Sequence, residues 1–210
     1  GFHTALDIAT DAIDRLHTTA ASHNRIMVIE IMGHKAGWLA LYAGIAGGSD
    51  IIIIPEIPYR IELIAEHLRE RRIKGKNFSV VAVAEGAVSF QEKDMNKKAL
   101  KEARKTMAGS IGYRVAREIE EVTGAEARVT VLGYLQRGGT PSGYDRILAT
   151  RFGAAAAELA AADQYGVMTA LQQGVITAVP LSKVADKVKK VPEDHPMILA
   201  ARDVSTCLAG

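Results

Sequence analysis

Residues 26–55 read I-M-V-I-E-I-M-G-H-K-A-G-W-L-A-L-Y-A-G-I-A-G-G-S-D-I-I-I-I-P. The first six form an apolar run broken only by Glu30, the pattern of a strand covered on both faces. Met32 to Gly37 is a glycine-led turn, and the small-residue stretch from Trp38 predicts a helix that stops at Gly47 and Gly48. Asp50 to Pro55 is then a second buried strand. Two buried strands joined through a helix predict a parallel βαβ unit, because parallel neighbours need a long crossover between them.

The same alternation continues in both directions. Upstream, Leu6, Ile13 and Leu16 share one side of a helical pattern over Phe2 to Leu16, and Thr18 to Asn24 reads as a polar turn. Downstream come an amphipathic helix at Ile61 to Arg72, a third strand F-S-V-V-A-V-A-E at 78–85, a helix from Ser110 to Thr123 and the strand V-T-V-L after Arg128. An Ala-rich helix over Tyr144 to Ala162, a short strand at Val175 to Pro180 and a turn or short helix at Leu181 to Lys190 complete the series. Between Gly86 and Ala108 the chain is polar, and Lys93, Lys97, Lys98, Lys101 and Lys105 predict a solvated loop or surface helix. The expected fold is a three-layer, Rossmann-like α/β arrangement with a mostly parallel sheet.

Composition narrows the function classes. The 210 residues are 48% hydrophobic, enough for a sizeable core, and the well-mixed charges sum to only +2. That balance and the scarcity of aromatics argue against a nucleic-acid partner. The longest apolar run, near Ile51 to Ile54, is too short to span a bilayer, so no membrane role is expected. The single cysteine, Cys207, leaves no disulfide framework or cysteine-rich zinc site and fits a reducing, cytoplasmic setting. His3, His17 and His23 have no metal-ligand spacing, and Ser22 beside His23 is turn chemistry rather than a nucleophilic dyad. The helical pattern is already under way at Ala5 and no initiating Met precedes it, which leads to the expectation that the chain starts within a domain.

The segment R-V-T-V-L-G-Y-L-Q-R-G-G-T-P-S-G-Y-D-R-I-L-A-T-R, residues 128–151, carries the clearest chemistry. Arg128 and Arg137 flank an apolar strand, and a Gly-Gly-x-Pro turn opens onto a helix near Ser142, as in a phosphate clamp or an ordinary basic turn. In parallel sheets ligands gather at the carboxyl ends of strands. There the pattern puts Met32, Gly33, His34 and Lys35; Pro55 and Glu56; Glu85 and Gly86; and Tyr134, Gln136 and Arg137. A carboxylate facing cations and glycine amides suits a phosphorylated, polyhydroxylated ligand, so a sugar phosphate fits better than a nucleotide.

Three runs, I-E-I-M-G-H-K-A-G-W-L-A-L-Y-A-G-I-A-G-G-S-D-I-I-I-I-P-E, V-A-V-A-E-G and V-T-V-L-G-Y-L-Q-R-G-G-T-P-S-G-Y-D-R-I-L-A-T-R-F-G, resemble the sugar-phosphate half of the 6-phosphofructokinases. The L-H-T-T-A-A-S-H-N-R run resembles the branch whose members use either ATP or pyrophosphate. The resemblance implies phosphorylation of fructose 6-phosphate to fructose 1,6-bisphosphate in glycolysis. Met32, Gly33, His34 and Glu85, with Tyr134, Leu135, Gln136 and Arg137, would bind this chain's own sugar phosphate. Arg25 and Arg128 match arginines that reach a neighbour's 6-phosphate, which implies a homo-oligomer, dimer or tetramer, with shared sites. By domain, residues 1–137 would bind the sugar phosphate, 138–183 would pack on a donor domain absent from this sequence, and 184–210 would return to the substrate domain.

Two residues depart from the pattern. His34 stands where arginine is common, exchanging a fixed cation for a titratable donor, and Tyr134 stands where histidine is frequent. The family's T-I-D-N-D motif, which holds the catalytic base, and its G-G-D-G donor loop do not occur here. Mg2+ with ATP or pyrophosphate would therefore serve the complete enzyme, none of them bound by this chain alone, which is expected to be inactive and to hold no catalytic residue or metal. The alternative is a non-catalytic module that senses a sugar phosphate or regulates a partner.

Overall fold

The computed structural model describes residues 1–95, 98–100 and 109–210; the expectations for Lys97, Lys101 and Lys105 lie outside them. Two compact units form, Ala5–Gly138 with Lys190–Gly210, and Gly1–Thr4 with Gly139–Lys189.

In the larger unit the elements run α1 (Phe2–His23), β1 (Ile26–Ile31), α2 (Trp38–Ala46), β2 (Ile51–Ile53), α3 (Ile61–Ile73), β3 (Ser79–Ala84), a 3-10 turn (Phe90–Glu92), α4 (Ile111–Thr123), β4 (Ala127–Val131), a 3-10 turn (Gly133–Arg137) and, after the smaller unit, α6 (Pro196–Asp203). The strands pair in the order β2-β3-β1-β4, all parallel, with Ile26 opposite both Ser79 and Ala127. Side chains alternate across β1, so Met27, Ile29 and Ile31 pack with Ile13, Leu41 and Ile198 from α1, α2 and α6. Ile26 and Val28 face the other way, onto Ile64 and Leu68 of α3 and Val115 and Ile119 of α4. Burial on both faces explains the unbroken apolar runs of the sequence and gives the expected three layers.

The chain leaves β1 toward α2 on one face, whereas α4, which leads into β4, covers the other. β1 lies between β3 and β4, so the exits of these three strands lie side by side at one edge of the sheet.

One expectation is corrected in this unit. Thr18 to Asn24 is not a polar turn, because α1 continues to His23 with Ala20 fully buried. The Thr18 and Thr19 hydroxyls donate to the Arg15 carbonyl, and Ser22 donates to that of Thr19. These polar side chains are thus absorbed by bonds back along the helix instead of ending it.

The smaller unit holds α5 (Gly143–Ala161), β5 (Val167–Gln172), β6 (Val175–Pro180) and a 3-10 turn at Leu181–Lys183. Ser142 caps α5, its Oγ accepting the Asp145 amide at 3.3 Å, while the buried Asp145 carboxylate accepts the Thr4 amide at 2.8 Å. β5 and β6 pair antiparallel through Gln173 and Gly174, whose φ angles of 49° and 83° are those of a tight hairpin turn. The sequence pattern had shown only β6, because β5 is half-exposed and its M-T-A-L core has no β-branched run.

Candidate active site

Between β1 and α2, most amides of Met32 to Gly37 lie outside any strand or helix ladder, and each needs an acceptor. Side chains from the three neighbouring strand exits supply them. Gln136 Oε1 accepts the Met32 amide at 2.8 Å. Glu85 Oε1 accepts the amides of Gly33 at 3.2 Å and His34 at 2.6 Å. The Glu56 carboxylate accepts the Gly37 amide at 3.0 and 3.1 Å and the Val191 amide at 3.0 Å. Glu56 therefore sets a negative charge at the amino end of α2 and ties the returning chain to it. Glu30, buried within β1, does the same for α4 by accepting the Ser110 hydroxyl and, at 2.8 Å, the Gly112 amide.

The loop is fitted closely from below. His34 has a left-handed φ of 54°, which directs its carbonyl toward Gly86. A Cβ at Gly86 would lie 1.9 Å from that oxygen, so only glycine admits this approach.

Above the loop lies a cleft of about 1110 Å³, lined by His34, Lys35, Glu85, Lys93, Arg114 and Lys190 among others. The cations differ in availability. Arg114 forms a bidentate pair with Glu92 at 2.6 and 2.7 Å and donates to the Tyr59 hydroxyl at 2.7 and 3.0 Å. Tyr59 in turn donates to Glu118 at 2.9 Å. Burial pushes the Arg114 guanidinium down, but its bonds to Glu92 and Tyr59 outweigh this and hold it above its ordinary range. Burial raises the Tyr59 phenol and the Glu118 carboxyl. This network anchors the chain that follows β3 and commits the Arg114 charge, while Lys35, Lys190 and Lys93, whose ammonium lies 4.3 Å over the Phe90 ring, line the cleft with His34.

The structure brings Met32, Gly33, His34, Glu85 and Gln136 together at one end of the sheet. On the β4 exit turn, Tyr134 and Leu135 are 88% and 69% exposed, and Arg137 is exposed as well; none of the three lines the cleft. Gln136 is only 4% exposed. Arg25 and Arg128 lie at the amino ends of β1 and β4 and both pair with Glu126, Arg25 at 2.7 Å. At ~3.3 Å per residue the strands separate them from this chain's own cleft by roughly 20 Å. The Arg25 and Arg128 bonds hold the Glu126 carboxyl below its usual range. Sequence reading missed the roles of Glu56, Glu30, Lys93, Arg114 and Lys190. Glu56 was visible at a strand end, but its pairing with Gly37 depends on a crossover that only topology reveals.

Residues 1–160 match the family described as Phosphofructokinase. The chain belongs to the phosphofructokinase family. It is 64% identical over 208 residues to the ATP-dependent 6-phosphofructokinase of Spirochaeta thermophila, covering 99% of this chain and 57% of that protein. It is 46% identical over 196 residues to the pyrophosphate–fructose 6-phosphate 1-phosphotransferase of Amycolatopsis methanolica, covering 93% and 57%. The solved phosphofructokinase of Saccharomyces cerevisiae superposes with a TM-score of 0.73 at 32% identity, over 87% of this chain and 23% of that one. This phosphofructokinase chain thus spans somewhat more than half the length of the curated relatives it matches, and those relatives include both donor types. The expected α/β fold with a mostly parallel sheet is the one observed. Among the described residues, no group of three His, Cys, Asp or Glu side chains is placed to hold a metal, and no helix is long and apolar enough to cross a membrane.

Proposed function

We propose that the β1, β3 and β4 exits form the fructose 6-phosphate site of a 6-phosphofructokinase, the enzyme that moves a phosphoryl group from ATP or pyrophosphate to the sugar's 1-hydroxyl. The observation that carries this reading is Glu85. Its Oε1 is committed to two backbone amides, while its Oε2 has no partner among the described residues and borders a cleft lined by Lys35, Lys93 and Lys190 as well as by Glu30, Glu56 and Glu193. A carboxylate oxygen held in this way accepts sugar hydroxyls, and the lysines of the mixed-charge lining would take the phosphate. His34 lines that cleft, Met32 and Gly33 precede it on the same loop, and Arg137 and Tyr134 would reach the sugar phosphate from the β4 exit turn outside the cleft lining. Arg25 and Arg128, at the far end of the sheet, serve a neighbouring chain's 6-phosphate, so the working unit is a homo-oligomer.

The described residues do not fit Mg2+, since no group of three His, Cys, Asp or Glu side chains among them is placed to hold it. These 210 residues contain neither T-I-D-N-D nor a G-G-D-G loop, so the base and donor cradle belong to other residues of the parent enzyme and the chain alone transfers no phosphoryl group. A non-catalytic sugar-phosphate sensor is the second reading, favoured by that same absence and by His34 in place of arginine. Shared sites are tested by mixing. Arg25→Ala/Arg128→Ala chains and Glu85→Gln chains should each bind fructose 6-phosphate poorly, and co-refolded mixtures should recover part of the wild-type capacity. A mixture no better than its components would exclude shared sites. Turnover by the 210-residue chain with either donor would overturn the assignment of the base to other residues.

A further inference from the structure

The parallel ladder between β1 and β4 ends at the bond from the Leu132 amide to the Glu30 carbonyl. The next rung would join the Met32 amide to the Leu132 carbonyl. That carbonyl is already taken by the Leu135 amide at 3.0 Å, because the chain has turned into the Gly133–Arg137 turn. Gln136 fills the vacancy, its side-chain Oε1 accepting the Met32 amide at 2.8 Å as a peptide carbonyl would.

Gln136 is buried on a turn whose neighbours Tyr134 and Leu135 are exposed. The Met32 amide can only donate, so the carboxamide has a single orientation and Nε2 is left buried with no acceptor among the described residues. An orphaned donor is unfavourable. A glutamate would remove the orphan but would bring a negative charge beside an anion site; glutamine is the neutral acceptor of the same reach.

We propose that Gln136 is a positioning residue that locks the β4 exit turn, which carries Arg137, to the Met32-Gly33-His34 loop, so that both meet one sugar phosphate in fixed register. This rests on the fructose 6-phosphate reading above. Gln136 acts through Met32, since its buried amide nitrogen is closed to a ligand.

The test uses the 210-residue chain with Gln136→Leu, and Gln136→Asn as a second variant that stays polar but falls short of Met32. Amide exchange at Met32 should accelerate in both. Affinity for fructose 6-phosphate should fall about tenfold, whereas weak binding of inorganic phosphate, which needs charge but no register, should stay within about twofold. Unchanged Met32 exchange, an unchanged sugar-phosphate affinity, or an equal loss for both ligands in folded variants would each overturn the proposal. If the wild-type chain fails to bind fructose 6-phosphate, the functional reading falls, while Met32 exchange still decides whether Gln136 couples the two segments.

Discussion

Gly86→Ala is a sharp probe of how the β3 exit shapes the site. The added Cβ would lie 1.9 Å from the His34 carbonyl oxygen and 3.2 Å from Pro55 Cγ. A comfortable carbon–oxygen contact is ~3.3 Å, so the His34 backbone must withdraw by roughly 1.4 Å or β3 must bend. Gly86 does not occupy the left-handed region, so the alanine backbone is unstrained and the effect is steric. Overpacking of this kind costs about 1–3 kcal/mol. An ångström-scale shift of the bonds between Glu85 and the Gly33 and His34 amides should lower fructose 6-phosphate affinity on the order of 10²-fold. Gly75→Ala separates site damage from general destabilisation, since Gly75 has a φ of 78° in open space and its strain lies away from the cleft. Urea denaturation followed by circular dichroism measures stability, and calorimetric titration measures affinity. The steric reasoning fails if Gly86→Ala stays within about 0.5 kcal/mol of wild type and binds within twofold.

Breaking the buried pair with Arg114→Met removes the bidentate partner of Glu92 and should cost about 3–5 kcal/mol, with much of it restored in the Arg114→Met/Glu92→Met double variant. A single variant within about 1 kcal/mol of wild type in urea melts would show that the pair is not held as described. Burial, followed by the charge of Arg71, lowers the His67 pKa below its ordinary 6.5, and its Nε2 is buried without a partner among the described residues. The unfolded chain therefore takes up this proton first as pH falls through the ordinary value, and stability is lost from there downward. His67→Gln should show a shallower decline in melting temperature between about pH 7 and pH 5. Equal slopes in the two proteins would contradict that account.

Much of the fold was legible because a parallel sheet buried on both faces writes its strands as apolar runs. Ile26 to Ile31, Ile51 to Ile53 and Ser79 to Ala84 are readable without any partner. β5 was not, since its half-exposed residues acquire strand character only by pairing with β6 across Gln173 and Gly174. The Thr18–Asn24 stretch misled because turn-forming hydroxyls are equally content bonding back along a helix. Glu85 and the Met32–His34 loop were readable as strand-end residues, and they meet through the Gly33 and His34 amides. Glu30 and Glu56 were opaque for a different reason. Each caps a helix distant in sequence, and only the order β2-β3-β1-β4 brings those helix ends within reach. Gln136 looked like one more polar residue in a ligand turn, and only its burial distinguishes it from Tyr134 and Arg137.

The central claim rests on the unshared oxygen of Glu85, and calorimetric titration of the 210-residue chain with fructose 6-phosphate addresses it most directly. The account predicts saturable binding by the wild-type chain and at least a tenfold loss in Glu85→Gln, because the amide keeps an acceptor for Gly33 and His34 but surrenders the charge that strengthens a hydroxyl bond. No saturable binding by a folded wild-type chain, or equal affinity in Glu85→Gln, would contradict it.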